Sequence, residues 1–264
     1  MESGIYFRHN SIRHDRHTLV FVHGLSGSSS AWRPYEEALG GRYNLLFFDL
    51  RGHGKSVKKN RRGYYLLDNI ADDICALAKR FGLGRFILIG HSFGALLALD
   101  FAGKHPGMAE ALVLLAPDYR IGKTLRIKIA RPFLAFSKIL YFKPFKERAG
   151  EQIDYYSRFP NTGDWNVKRI YTDIKNTTLR VYCECLRQAQ DFDAQNLIPD
   201  IKIPVLVIHG KKDTVFPLSD SEAMVKKMPR ARLKILPEVN HILVMNNWRE
   251  VESEIDNFVR SLYC

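Results

Sequence analysis

The 264-residue sequence predicts an α/β fold, a mostly parallel sheet flanked by helices with an inserted helical cap. Two features predict it. Short apolar runs alternate with segments whose apolar residues recur at helical spacing, the pattern of βαβ units. One long stretch, residues 118–200, breaks that rhythm and carries only helical periodicities. The core domain is therefore expected over residues 1–117 and 201–264, and the cap over 118–200. An apolar content of 46% is ample for a core of that size.

Thr18–Val22 (TLVFV) reads as the first central strand and runs into the loop His23-Gly24-Leu25-Ser26-Gly27. A short helix over residues 32–39 comes next, then a strand at 45–48 (LLFF). Leu67, Ile70, Ala71, Ile74, Leu77, Ala78 and Phe81 share one helical face, with acids early, bases late and Gly82 as a stop. Further strands are expected at 86–89 (FILI), 111–115 (ALVLL), 205–208 (VLVI) and 233–236. Val251, Ile255, Phe258, Val259 and Leu262 mark an amphipathic final helix. Sheets of this kind bind ligands outside the carboxyl ends of their strands, and every candidate residue of the core lies just after a strand.

The most informative stretch runs from the 86–89 strand into the helix beyond it. Phe86-Ile-Leu-Ile89 stops at Gly90, and Ala95-Leu-Leu-Ala-Leu99 is a strong helix former. Between them Gly90-His-Ser92-Phe-Gly94 forms G-x-S-x-G. A turn that tight strains the serine, and small residues two before and two after it prevent collisions. Ser92 is then presented at the strand's carboxyl end above a helix N-terminus, as a nucleophile would be. The motif also occurs by chance in loops, so a base, an acid and an oxyanion hole are needed beside it.

His241, in the loop after the last strand, is positioned to be the base. Asp213, in His209-Gly-Lys-Lys-Asp213, can orient that imidazole, with Asp118 after the 111–115 strand as competitor. The order Ser92…Asp213…His241 favours Asp213. Its ordinary alternative is a turn aspartate. Backbone N–H groups of Leu25 and Phe93 are the candidate oxyanion donors.

With these residues in place the chain resembles the α/β-hydrolase superfamily, in its cap-bearing serine hydrolase branch, esterase- or lipase-like. The matching residues are His23-Gly24, Asp49-x-Arg51-Gly52-x-Gly54-x-Ser56, Gly90-His-Ser92-Phe-Gly94, Gly210-x-x-Asp213-x-x-x-Pro217 and Asn240-His241. They cover nearly all of the chain outside the cap. The resemblance implies that residues 49–56 form a structural loop, with His53 no second base. The N-terminal hairpin common in relatives is short here, with only residues 5–8 and those near Arg13 available for it. Serine at the elbow excludes the epoxide- and halide-processing branches, which use a carboxylate there. The expected chemistry is acyl transfer to water through an acyl-enzyme, with no metal or organic cofactor.

The charge is uneven. The net +12 is concentrated at 120–148, with Arg120, Lys123, Arg126, Lys128, Arg131, Lys138, Lys143, Lys146 and Arg148 against Glu147 alone. Three readings compete: a cap whose apolar side covers the site while its cations are solvated, docking on an anionic membrane surface, and steering of an anionic substrate. No nucleic-acid motif accompanies the basic residues. The aromatic cap residues suggest an apolar acyl pocket, with Phe133, Phe136, Tyr156 and Trp165 as candidate substrate contacts. The expected substrate is a small-molecule apolar ester. Carbon–carbon bond hydrolysis of ring-cleavage type, thioester or amide hydrolysis, and a non-catalytic receptor or membrane-associated scaffold are alternatives.

Cys75, Cys183, Cys185 and Cys264 are too few for a disulfide framework, and Cys183-x-Cys185 lacks a second pair to hold zinc. The N-terminal stretch is polar and charged, and no apolar run approaches a membrane span. A cytoplasmic protein is expected, with peripheral membrane contact tied to the basic cap.

Overall fold

In the computed structural model, which describes residues 4–123, 125–142 and 145–263, the apolar runs become one sheet. Lys143 and Cys264 lie outside the described residues, as do the side chains of residues 125–127. The strands are β1 (Phe7–His9), β2 (Thr18–Val22), β3 (Asn44–Phe48), β4 (Phe86–His91), β5 (Ala109–Leu115), β6 (Val205–Gly210) and β7 (Ala231–Leu236). Their order is β1-β3-β2-β4-β5-β6-β7. Only β1 is antiparallel, on β3; the other five pairings are parallel.

The helices are α1 (Arg33–Leu39), α2 (Leu67–Arg80), α3 (Phe93–Lys104), α4 (Leu125–Phe136), α5 (Tyr155–Arg158), α6 (Val167–Thr177), α7 (Leu179–Asp191), α8 (Leu218–Lys227), α9 (Leu243–Asn246) and α10 (Trp248–Ser261). Alternation along the strands divides the core between two faces. Val20, Val22, Leu46 and Phe48 meet the apolar faces of α2 and α3. Leu19, Phe21, Leu45 and Phe47 meet Tyr35 and Leu39 of α1 and Val251, Ile255 and Phe258 of α10. Both faces are covered, which is why the strands read as continuous apolar runs.

Between β5 and β6 the chain forms α4 to α7. This insertion joins the core through Val181, Cys185 and Ala189 of α7, which pack into the α2–α3 side. Its α4 packs against α7 and against the 3-10 turn Ile121–Lys123. The Asp49 loop is structural, as the resemblance implied. Asp49 accepts the N–H groups of Ser29 and Lys55, each at 2.7 Å, and its carbonyl accepts the Ser56 hydroxyl at 2.6 Å. His53 is fully buried, with Nδ1 2.9 Å from the Arg51 carbonyl, and burial pushes its pKa down to about 3.

Candidate active site

β4 ends at His91 and α3 opens at Phe93, so a single residue makes the reversal. Ser92 makes it with φ 53° and ψ −114°, a conformation that costs an L-residue of order 1–3 kcal/mol. The flanking glycines permit it. A Cβ on Gly90 would lie 2.2 Å from the Gly94 carbonyl oxygen, and one on Gly94 would lie 2.3 Å from that of Val22.

The Ser92 hydroxyl faces Nε2 of His241 at 2.9 Å, and Nδ1 of His241 lies 2.7 Å from Oδ2 of Asp213. Asp213 is enclosed. Its Oδ1 accepts the N–H groups of Val215 and Phe216 at 2.7 and 2.9 Å, and Nε2 of His209 stands 3.3 Å from Oδ2. Burial pushes this carboxyl up, but the bonds from His209, His241 and Phe216 outweigh it and hold Asp213 well below the usual carboxylate range. It is therefore an anion that fixes the His241 tautomer, with Nδ1–H toward Asp213 and Nε2 free to accept from Ser92.

The backbone of His241 is held as firmly as its ring. Its N–H donates to Oδ1 of Asp164 at 2.9 Å, and its carbonyl accepts from Nε2 of His91 at 2.9 Å. Burial, helped by the neighbouring His241, pushes His91 down to about 3, so His91 is a neutral donor. Asp164 also accepts from the N–H and hydroxyl of Thr214, at 2.9 and 2.8 Å. One carboxylate of the insertion thus joins the Asp213 loop to the His241 loop.

The candidate oxyanion donors stand at the same place. Phe93 begins α3, so its N–H has no intrahelical carbonyl to bond. Leu25 comes after a turn pinned by His23, whose Nδ1–H bonds the Gly24 carbonyl at 2.8 Å and whose Nε2 accepts the Leu50 N–H at 3.0 Å. Leu25, Phe93 and Ser92 line one cavity of about 310 Å³. Its walls are largely apolar, with Trp32, Ile121, Tyr182, Leu186, Val215 and Met245 among them. Its acidic and guanidinium side chains are Asp164, Arg169 and Asp173. Arg169 pairs with Asp173 at 3.2 Å, and Tyr155 donates its hydroxyl to Asp173 at 3.0 Å. Among the described residues no group of His, Cys, Asp or Glu side chains is arranged to hold a metal ion.

The structure thus brings together Ser92, Asp213, His241, Leu25, Phe93 and Trp165. Trp165 borders the cavity and donates its indole N–H to the Thr214 hydroxyl at 2.9 Å. Asp118 is not on His241; its Oδ1 takes the Arg120 N–H at 2.7 Å. Three expected substrate contacts are corrected. Phe133 and Phe136 are solvent-exposed and absent from the cavity wall, because α4 buries its opposite side through Leu134. Tyr156 is absent from the cavity wall, its hydroxyl donating to the Ala31 and Val244 carbonyls at 2.7 and 3.2 Å. Its neighbour Tyr155 lines the cavity instead, since consecutive helical residues diverge by about 100°. Sequence reasoning misses Asp164 and His91. His91 sits inside the G-x-S-x-G motif and is the legible one of the two.

A family model described as alpha/beta hydrolase fold matches residues 17–247. The chain belongs to the alpha/beta hydrolase fold family. A protein of Arabidopsis thaliana named as a probable lysophospholipase, BODYGUARD 1, is 25% identical over 90% of this chain, which spans only 58% of that relative's length. A protein of Caulobacter sp. strain K31 named as a carbamate hydrolase, RutD, is 24% identical, with 97% of this chain and 96% of that one covered. The solved structure of MGS-M2, an alpha/beta hydrolase enzyme from a Medee basin deep-sea metagenome library, is 20% identical. It superposes with a TM-score of 0.76, covering 97% of this chain and 94% of its own.

Proposed function

We propose that this protein is a serine hydrolase of carboxylic esters with apolar or lipid-like acyl groups. The observation that carries the reading is the Ser92–His241–Asp213 chain opening into a largely apolar cavity of about 310 Å³. Ser92 Oγ attacks the ester carbonyl while Nε2 of His241 takes its proton, and Asp213 stabilises the imidazolium. The N–H groups of Leu25 and Phe93 receive the oxyanion, each worth about 3 kcal/mol of transition-state stabilisation. The alkoxide leaves with the proton from His241. Water, deprotonated by His241, then attacks the acyl-Ser92 carbonyl and releases the acid, and Ser92 recovers its proton. The insertion acts as a cap in this reading, since it supplies Tyr155, Trp165, Tyr182 and Leu186 to the cavity wall.

A panel of p-nitrophenyl esters of rising chain length tests the proposal, together with fluorophosphonate labelling of Ser92. Turnover of esters that vanishes in Ser92→Ala is expected. No turnover and no labelling of the folded protein would make it a receptor or scaffold. Arg169 on the cavity wall favours one second reading. A substrate carboxylate on the leaving fragment would meet it beside Asp173, as in a ring-cleavage dienoate hydrolysed at a carbon–carbon bond. Turnover of such a dienoate without turnover of any ester would select that reading. A thioester or an amide could pass through the same acyl-Ser92 step.

A further inference from the structure

The segment from α4 through the 3-10 turn Ser137–Phe142 presents its apolar side chains to solvent. Ile129, Phe133, Phe136, Ile139 and Phe142 are between 46% and 78% exposed. Ile129, Phe133 and Phe136 stand at i, i+4 and i+7, one face of a helix. The stripe that periodicity would assign to the core is thus the outer one. Leu134 is what α4 buries. Because α4 packs on α7, and α7 supplies Tyr182, Leu186 and Ala189 to the cavity, the exposed stripe lies one helix away from the candidate site. Soluble proteins seldom expose contiguous apolar surface of this kind without a binding role.

Charge says what covers it. Residues 119–146 contain no Asp or Glu. Lys128, Arg131 and Lys138 are exposed on the same segment. Arg62 comes from a distant loop and places its guanidinium 5.5 Å from the Phe142 ring, with exposed Arg61 beside it in sequence. A second copy of this face would oppose like charges, which is costly. Apolar side chains rimmed by lysine and arginine are the composition of elements that lie in a lipid–water interface.

We propose that this surface docks on an anionic phospholipid bilayer. The five apolar side chains enter the headgroup–acyl boundary, and Arg62, Lys128, Arg131 and Lys138 meet the lipid phosphates and carboxylates. The docking uses none of the Ser92 chemistry, so the two proposals fail separately.

The test is co-sedimentation of the protein with vesicles of phosphatidylcholine alone and of phosphatidylcholine mixed with phosphatidylserine. Binding to the mixed vesicles, lost at high salt, is expected. Ile129→Asp with Ile139→Asp, and separately Lys128→Glu with Lys138→Glu, should each weaken it about tenfold or more. Turnover of a soluble p-nitrophenyl ester without vesicles should not change in either variant. Absence of binding to the mixed vesicles overturns the proposal, as does equal binding to both kinds or full binding by the isoleucine variant. A wild-type dimer in sedimentation velocity that the isoleucine variant converts to monomer, with no vesicle binding, would assign the face to a second copy instead. Vesicle binding without ester turnover would leave the docking standing and defeat the catalytic reading.

Discussion

Asp164 holds His241 by its backbone: Oδ1 accepts the His241 N–H at 2.9 Å, while Oδ2 accepts the N–H and hydroxyl of Thr214, the residue after Asp213. The base loop and the acid loop leave different strands, and this carboxylate from the insertion closes the gap between them. Asp164→Ala removes all three bonds. Each buried donor left unpaired costs about 1–3 kcal/mol. The catalytic cost comes from looser alignment of Nε2 on Ser92, where small displacements lower rates steeply. The variant should lose about 10- to 100-fold in kcat for a soluble ester with KM little changed, and its fluorophosphonate labelling should slow in parallel. Asp164→Asn, keeping one acceptor oxygen, should recover part of both. Unchanged kcat in variant protein shown folded by circular dichroism would reduce Asp164 to a packing role.

Ser92 sits at φ 53° because the elbow demands it, and strain held there is released by glycine. Ser92→Gly should abolish turnover while raising stability by about 1 kcal/mol, roughly 2–4 °C in Tm. Differential scanning calorimetry of wild type and variant reads this directly. A Tm that falls by more than a degree would mean that the Ser92–His241 bond outweighs the backbone strain.

Asp213 is kept ionised to hold one tautomer of His241. Asp213→Asn preserves the shape but can point an NH₂ donor at Nδ1, turning the ring so that Nε2 carries the proton. A loss on the order of 10⁴-fold in kcat is expected for the soluble ester. Asp118→Asn should leave kcat within about twofold, because Asp118 bonds the Arg120 N–H and not His241. Assays of the two variants side by side check the assignment. The reverse result would exchange the roles of the two acids.

The sheet was legible because both of its faces are covered, so its central strands are largely apolar runs ending at chemically marked loops. Ser92, Asp213 and His241 lie on three such loops, and strand order alone brings their loops to one side. The insertion had no such grammar. Its helices are amphipathic on surfaces that only packing such as that of α4 against α7 defines, so Phe133 and Phe136 point outward where their aromatic character suggested an acyl pocket. Asp164 was invisible for the same reason. It comes after Gly163 in a loop between short helices, and only the fold brings it to His241 and Thr214. The slip from Tyr155 to Tyr156 is a phase error of one residue in α5, a helix too short for any period to resolve.

The last expectation concerns pH and a group outside the candidate chemistry. Asp118 is buried, its Oδ2 has no hydrogen-bond partner among the described residues, and burial pushes its pKa from 3.8 up to about 6, with Asp220 adding to the rise against the Arg120 bond. A carboxyl raised in the folded state binds its proton more tightly there than in the unfolded chain. Its contribution to stability is therefore fully present below about pH 4 and is lost as pH rises through about 6. Asp118→Asn keeps the acceptor for the Arg120 N–H and cannot ionise. The difference in unfolding free energy, variant minus wild type, should rise by about 2 kcal/mol between pH 4 and pH 7 and then level off. Chemical denaturation of both proteins across that range measures it, with all other titrating groups cancelling in the difference. A difference that stays flat with pH would show that Asp118 ionises in the folded protein as easily as in the unfolded one.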